Sequence, residues 1–163
     1  MSFSSVLQTE LFKVTVESYF WSLSAEYYDC SVCAFGNMSY GIVYWLGYKM
    51  FGRVYLNGDG GGRSTHLSLF VVIARGHFDA LLRWPFTQRV TLTLLDQVAG
   101  RQHVTEAFRP DRSSAAAQRP VGDTNVATGF PRFVPLASLV GPQSVYVLDD
   151  TMYIRIVVDC HDL

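Results

Sequence analysis

Charge is scarce in this chain. Charged side chains make up 17% of its 163 residues and the formal net charge is -1, with a pI near 6.4. No basic run concentrates what positive charge there is. Nucleic acid is held mainly by clustered Lys and Arg that displace condensed counterions, and an anionic membrane surface is approached through the same excess. The chain is therefore expected to bind neither. Cysteine is also sparse: Cys30, Cys33 and Cys160 cannot all pair within one chain. Such usage does not fit a secreted disulfide scaffold and points to a reducing, cytoplasmic compartment. Long apolar runs are missing too. The longest, Leu69 to Ala74, falls far short of the roughly 20 residues a membrane-crossing helix needs. Met1 to Phe12 lacks a basic stretch leading into an apolar one, so no secretory signal and no membrane insertion are expected.

Catalytic and metal motifs are equally thin. Cys30-Ser31-Val32-Cys33 has the spacing of half a structural zinc site, and only Cys160 and His161 remain to complete it; ordinary thiols are the expected reading, with no metal and no cofactor. Gly58-Asp59-Gly60-Gly61-Gly62 lacks the spacing and the lysine of a phosphate-binding loop and reads as a turn. His66, His77, His103 and His161 stand near no nucleophile motif, so nothing recommends a catalytic triad or an enzyme.

What the chain has in quantity is apolar and aromatic mass. Hydrophobic residues make up 49%, with nine Tyr, eleven Phe and three Trp, enough for one domain with a real core. The pattern is alternation. Val54 and Leu56 fall opposite Arg53, Tyr55 and Asn57; Leu67, Leu69, Val71 and Ile73 fall opposite His66, Ser68, Phe70 and Val72. With a glycine-rich turn between them, these two segments are expected to pair as a hairpin. Val90, Leu92 and Leu94 mark another strand, and Met152, Ile154, Ile156 and Val158 a long C-terminal one. Several such strands imply an all-β antiparallel sandwich or barrel. Arg109 to Gly129, with its prolines, glycines and serines, reads as one long connection. Leu7, Leu11, Val14, Ser18 and Trp21 follow a helical four-three spacing while Val14 and Val16 also alternate, which leaves a helical stub and an irregular or extended start both open over residues 1–20.

On the polar face, Arg53, Tyr55 and Asp59 bring a cation, a hydroxyl and a carboxylate close together along one strand and its turn. A solvated strand face and a binding patch both fit these residues.

A run of blocks then carries a resemblance. Gly47-Tyr48-Lys49-Met50, Arg53 to Gly60, Thr65-His66-Leu67-Ser68-Leu69-Phe70, Asp79 to Phe86 (with Leu82-Arg83-Trp84-Pro85), Leu94-Leu95-Asp96-Gln97, Ala107-Phe108-Arg109-Pro110-Asp111, Gln118-Arg119-Pro120, Asn125-Val126-Ala127 and Asp149-Asp150-Thr151 follow in order. Together they resemble the C-terminal TRAF/MATH domain of the TNF-receptor-associated factors. The resemblance implies an antiparallel eight-stranded β-sandwich over 21–163, possessing no catalysis, that serves as a cytoplasmic adaptor in TNF receptor signalling. It implies partners that are receptor cytoplasmic-tail peptides or adaptor proteins, short, extended and acidic with a Gln or Glu, bound along a sheet edge. A preceding coiled coil makes such proteins homotrimers, with 1–20 as the candidate stub.

Carried over residue by residue, the resemblance assigns Arg53 and Tyr55 to the ligand's acidic side chain, with Asp59 in the same patch. Phe70, Phe108 and Pro110 form its apolar pocket, and Thr128 and Gly129 lie beside the peptide. The serine run that holds the ligand's Gln or Glu aligns with Ser114, Ala115 and Ala116, where two hydroxyls are gone, and the aromatic after it is Ala117. The same fold also serves as the substrate-recognition module of ubiquitin-ligase or protease assemblies, which is the alternative function.

Overall fold

The alternating segments fold as strands. The computed structural model describes residues 7–16, 21–24, 32–35, 38–45, 47–141, 143–149 and 151–159, with side chains from residue 47 onward. Ten strands lie among the described residues: β1 (Leu7–Val16), β2 (Trp21–Ser24), β3 (Val32–Phe35), β4 (Met38–Trp45), β5 (Tyr48–Tyr55), β6 (His66–Ala74), β7 (Val90–Leu94), β8 (Val104–Phe108), β9 (Thr128–Pro135) and β10 (Thr151–Asp159). One short helix, α1 (Leu136–Leu139), follows β9. The strands form two five-stranded antiparallel sheets, ordered β2-β1-β10-β7-β8 and β3-β4-β5-β6-β9. No helix among the described residues is long and apolar enough to cross a membrane.

The alternation read from the sequence sets the core. Met50 and Val54 of β5, Leu67, Leu69, Val71 and Ile73 of β6, Val90, Leu92 and Leu94 of β7, and Met152, Ile154, Ile156 and Val158 of β10 are all buried in one cluster between the sheets. Because opposed residues of antiparallel strands share a face, this leaves Arg53, Tyr55 and Phe70 on the outer side. Burying side chains of this size contributes about 1.5–3 kcal/mol each before entropy is counted. Tyr48 closes one end of the core: its ring meets Trp84 and Phe86 edge-on, each at 5.1 Å, and its hydroxyl donates to the Arg83 carbonyl at 2.5 Å. Burial pushes this phenol above its ordinary range.

Several outward positions of β5 and β6 are nevertheless buried. Ser68 lies under the turn that follows β5, and Val72 packs with Phe51, Ala74 and Ala127. Residues 123–127 cover this second cluster by continuing the pairing along β6, through Arg75 N–H to the Asp123 carbonyl and Asn125 N–H to the Ile73 carbonyl. Alternation reads only the two faces of a strand and not what the chain later lays over one of them.

At the N-terminus, one of the two readings left open by the sequence is taken. Leu7–Val16 is a strand: β1 pairs with β10 from Leu7↔Asp159 to Thr15↔Thr151, and with β2 from Lys13↔Ser24 to Val16↔Trp21. A helix of that length is marginal alone, whereas pairing along β10 satisfies the backbone groups of both strands at once. β1 and β2 also sit in a sandwich of ten described strands, where eight were expected. Cys30, Cys160 and His161 lie outside the described residues, and Cys33 is described in backbone only.

Candidate functional site

The site is organised by one row across three strands. Arg53 of β5 registers with Phe70 of β6, and Phe70 with Gly129 of β9. Among the described residues β9 is the last strand of its sheet, so the row runs from a cation, over an aromatic ring, to a position with no side chain on that strand. The missing side chain has a local cause: a Cβ on Gly129 would lie 2.4 Å from the Leu69 carbonyl oxygen and 2.7 Å from the Phe70 Cα. Only glycine lets β9 press this close. Tyr55 stands one row along, opposite Ser68, its ring edge-on to Phe70 at 5.9 Å. The Arg53 guanidinium lies 5.8 Å from the centre of the Phe51 ring, within cation–π range. Arg53, Tyr55 and Phe70 are all half-buried.

Asp59 is placed by the turn after β5. Gly58 N–H returns to the Tyr55 carbonyl, and a single 3-10 turn at Gly60–Gly62 is closed by Gly62 N–H to the Asp59 carbonyl at 2.9 Å. The turn is fastened to β9 through Ser68, whose hydroxyl accepts from Asp59 N–H at 2.8 Å and donates to the Pro131 carbonyl at 2.6 Å. β9 meets this hydroxyl at a bulge, where the register shifts between Leu67 and Leu69. Bulges kink a strand and terminate its pairing locally. Arg132, inside the bulge, donates from Nε to the Gly61 carbonyl at 2.8 Å.

The aromatic residues divide between the sheets. Phe70 packs on Tyr55 on the outer face of its sheet. Phe108, at the end of β8 in the other sheet, packs edge-on against Phe130 at 5.8 Å, and Phe130 in turn against Phe133 at 6.3 Å. Pro110 is buried just beyond β8. The two phenylalanines thus belong to different sheets, and Phe130 of the edge strand carries the packing from Phe108 inward. Sequence reasoning missed Phe130, Ser68 and Arg132. The available signal was that Phe130 and Arg132 flank Pro131 immediately after a glycine.

The serine-depleted loop lies at the other end of β9. Asp111 starts it, its carboxylate accepting from Ser113 N–H and Ser113 Oγ, both at 2.8 Å; these two donors hold its carboxyl below the usual range. Ser114 Oγ accepts from Ala116 N–H at 3.2 Å. Ala116 and Ala117 are buried, Ser114 is half-buried and Ala115 is exposed. The loop is tied down by Phe86 N–H to the Ala117 carbonyl and by the Asn125 amide donating to the Ala116 and Gln118 carbonyls. Asn125 stands three residues before Thr128, so the loop flanks the start of the edge strand. Along β9 the order is therefore Ser114–Ala115, Thr128–Gly129, Phe130, then Arg132 with the Asp59 turn.

A family profile described as "TRAF/meprin, MATH domain" matches residues 43–155. The chain belongs to this family. All the candidate residues, from Arg53 to Gly129, lie inside the matched span. The MATH domain is 58% identical over 113 residues to TNF receptor-associated factor 1 of Mus musculus, covering 69% of this chain and 27% of that protein. It is 58% identical over 113 residues to TNF receptor-associated factor 2 of Homo sapiens, covering 69% and 22%, and 50% identical over 117 residues to TNF receptor-associated factor 5 of Mus musculus, covering 72% and 21%. The chain thus spans about a quarter of the length of these curated relatives. Among solved structures, TRAF5 of Notothenia coriiceps superposes with a TM-score of 0.67 at 51% identity, over 71% of this chain and 57% of that one. The sandwich is thus the fold of a TRAF-type MATH domain.

Proposed function

We propose that this MATH domain is a non-enzymatic signalling adaptor module that binds short, extended, acidic peptides of receptor cytoplasmic tails along the outer edge of β9. The observation that carries the reading is the Arg53–Phe70–Gly129 row, a cation opening through an aromatic onto a position of β9 with no side chain. An extended peptide gains main-chain hydrogen bonds at such an edge and specificity from alternate side chains. Arg53 and Tyr55 meet the acidic side chain, with Asp59 beside them. Phe70 and Phe108 line the apolar contact with Pro110 behind, Thr128 and Gly129 run beside the peptide, and Ser114, Ala115 and Ala116 border its Gln or Glu. The names of the similar proteins, TNF receptor-associated factors, support receptor tails of that class as the ligand source and disfavour the ligase- or protease-recognition alternative. The setting is cytoplasmic.

The serine run retains one hydroxyl, Ser114. Of Ala115 and Ala116 only Ala115 is exposed, and one absent neutral hydrogen bond there weakens a single site by about 0.5–1.5 kcal/mol, roughly 2- to 13-fold. Assembly as a homotrimer compensates, because linked sites raise avidity by roughly 10²- to 10⁴-fold without a new contact. The test is a fluorescence-anisotropy titration of a Gln-Glu-containing receptor-tail peptide against its scrambled version. The native order should bind measurably more tightly, with affinity falling as salt rises. Equal affinities for the two would remove the reading.

A further inference from the structure

Arg132 has no part in the reading above, yet it stands at the same edge. It is exposed on β9, three residues beyond Gly129. Its Nε donates to the Gly61 carbonyl at 2.8 Å, and a Cβ on Gly61 would lie 3.8 Å from both its Nε and its Nη2. The guanidinium therefore rests against a stretch of backbone that carries no side chain. Among the described residues no carboxylate pairs with it. As a fastener of the turn Arg132 is redundant, since Ser68 already ties Asp59 to Pro131. As a ligand-reading group it is well prepared: one of the five N–H donors of an arginine holds the plane in place, and the planar fork suits a carboxylate bidentately.

Between Phe130 and Val134, β9 spends four residues against the two of β6 from Leu69 to Leu67, so Arg132 sits in the bulge beside Ser68, two β6 residues from the row of Phe70 and Gly129 in which Arg53 stands. At about 3.3 Å per residue that is about 7 Å along the edge, which an extended peptide beside β9 covers in about two residues. We propose that Arg132 reads a second acidic side chain of the bound peptide, about two residues from the one that meets Arg53. The ligand class is then a di-acidic extended segment. The inference rests on the peptide-edge reading above and adds to it a specificity residue outside the assigned patch.

The experiment uses three synthetic peptides with a common Gln-Glu core: a parent with alanines around it, and two variants carrying a second Glu two residues to one side or to the other of the core Glu. One of the two should bind the wild-type chain about three- to tenfold more tightly than the parent, an increment of the size expected for a charge-assisted pair at a wet edge. Arg132→Gln should bring that ratio to about one, and Arg132→Lys, which keeps the charge but not the fork, should leave it above one. Parent binding with no preference for either di-acidic peptide overturns the inference alone. So does a preference that survives Arg132→Gln, or a loss that is equal for parent and di-acidic peptides, which would make Arg132 a strap for the turn. If none of the peptides binds the wild type, the peptide-edge reading fails and the inference falls with it.

Discussion

Gly62→Ala should cost about 2–4 kcal/mol of stability and abolish peptide binding. A Cβ at that position would lie 1.7 Å from the Pro131 carbonyl oxygen and 3.1 Å from Ser68 Oγ. The nearer partner is backbone and cannot rotate away, so the whole turn must lift off β9. Three bonds then go: Asp59 N–H to Ser68, Ser68 to Pro131, and Arg132 to Gly61. Each is worth about 0.5–1.5 kcal/mol, and Ser68 is left buried with its hydroxyl unpaired. The companion Gly60→Ala meets nothing within 4 Å and carries only the strain of a φ of +52°, about 1 kcal/mol. Urea denaturation of both variants checks this. A midpoint for Gly62→Ala no lower than that of Gly60→Ala would mean that the turn is not fastened as described.

Asp96→Ala should produce a comparably large loss, and one that depends on pH. Asp96 follows β7 and is buried, its Oδ1 accepting from the backbone N–H of Val98 and Ala99 and its Oδ2 from those of Arg101 and Gln102. Burial alone would raise its carboxyl, but the four N–H donors outweigh that and hold it well below the usual carboxylate range. Its own N–H donates to His103 Nδ1 at 2.9 Å, so the whole connection from β7 to β8 is gathered on one residue. A folded-state value below the unfolded one means stability that is fully present above about pH 4 and is lost as acid drives the pH down through the folded value. Thermal unfolding of wild type and Asp96→Ala from pH 7 into the acid range should show the variant less stable at neutrality and less sensitive to acid. Asp96→Asn keeps one of the two acceptor oxygens and should fall between them. Parallel acid profiles for wild type and Asp96→Ala would contradict the account.

The sandwich was legible because its central strands alternate cleanly. Met152 to Val158 and Leu67 to Ile73 carry period-two patterns that the buried cluster reproduces, and the glycine run between β5 and β6 reads correctly as a turn. Ser68 and Val72 misled because their cover comes from residues distant in sequence: the Asp59 turn, fastened by Pro131, and residues 123–127. Leu7 to Val16 was ambiguous for a similar reason. Its spacing fits a helix locally, and only the long pairing with β10, at the far end of the chain, decides for a strand. At the candidate site, Arg53 and Tyr55 are visible as polar residues alternating with buried ones, and the resemblance to the family names the remainder. Neither route shows that Ala116 turns inward while Ala115 stays exposed, because burial in a loop follows from hydrogen bonds such as those of Asn125 and not from a period. Arg132 escaped for want of any pattern: its significance lies in the contact with Gly61, seventy-one positions away.

The central claim is that Arg53 reads a carboxylate at the β9 edge. Isothermal titration of wild type and Arg53→Ala with an acidic Gln-Glu peptide, and with its Glu→Ala counterpart, tests it most directly. The pair is charge-assisted and only partly exposed, so Arg53→Ala should weaken the acidic peptide by about 1–3 kcal/mol, or roughly 5- to 150-fold, leave the neutral peptide little changed, and move the Tm hardly at all. Equal losses for the acidic and the neutral peptide, or a fall in Tm that accounts for the loss, would make Arg53 a structural residue and contradict the account.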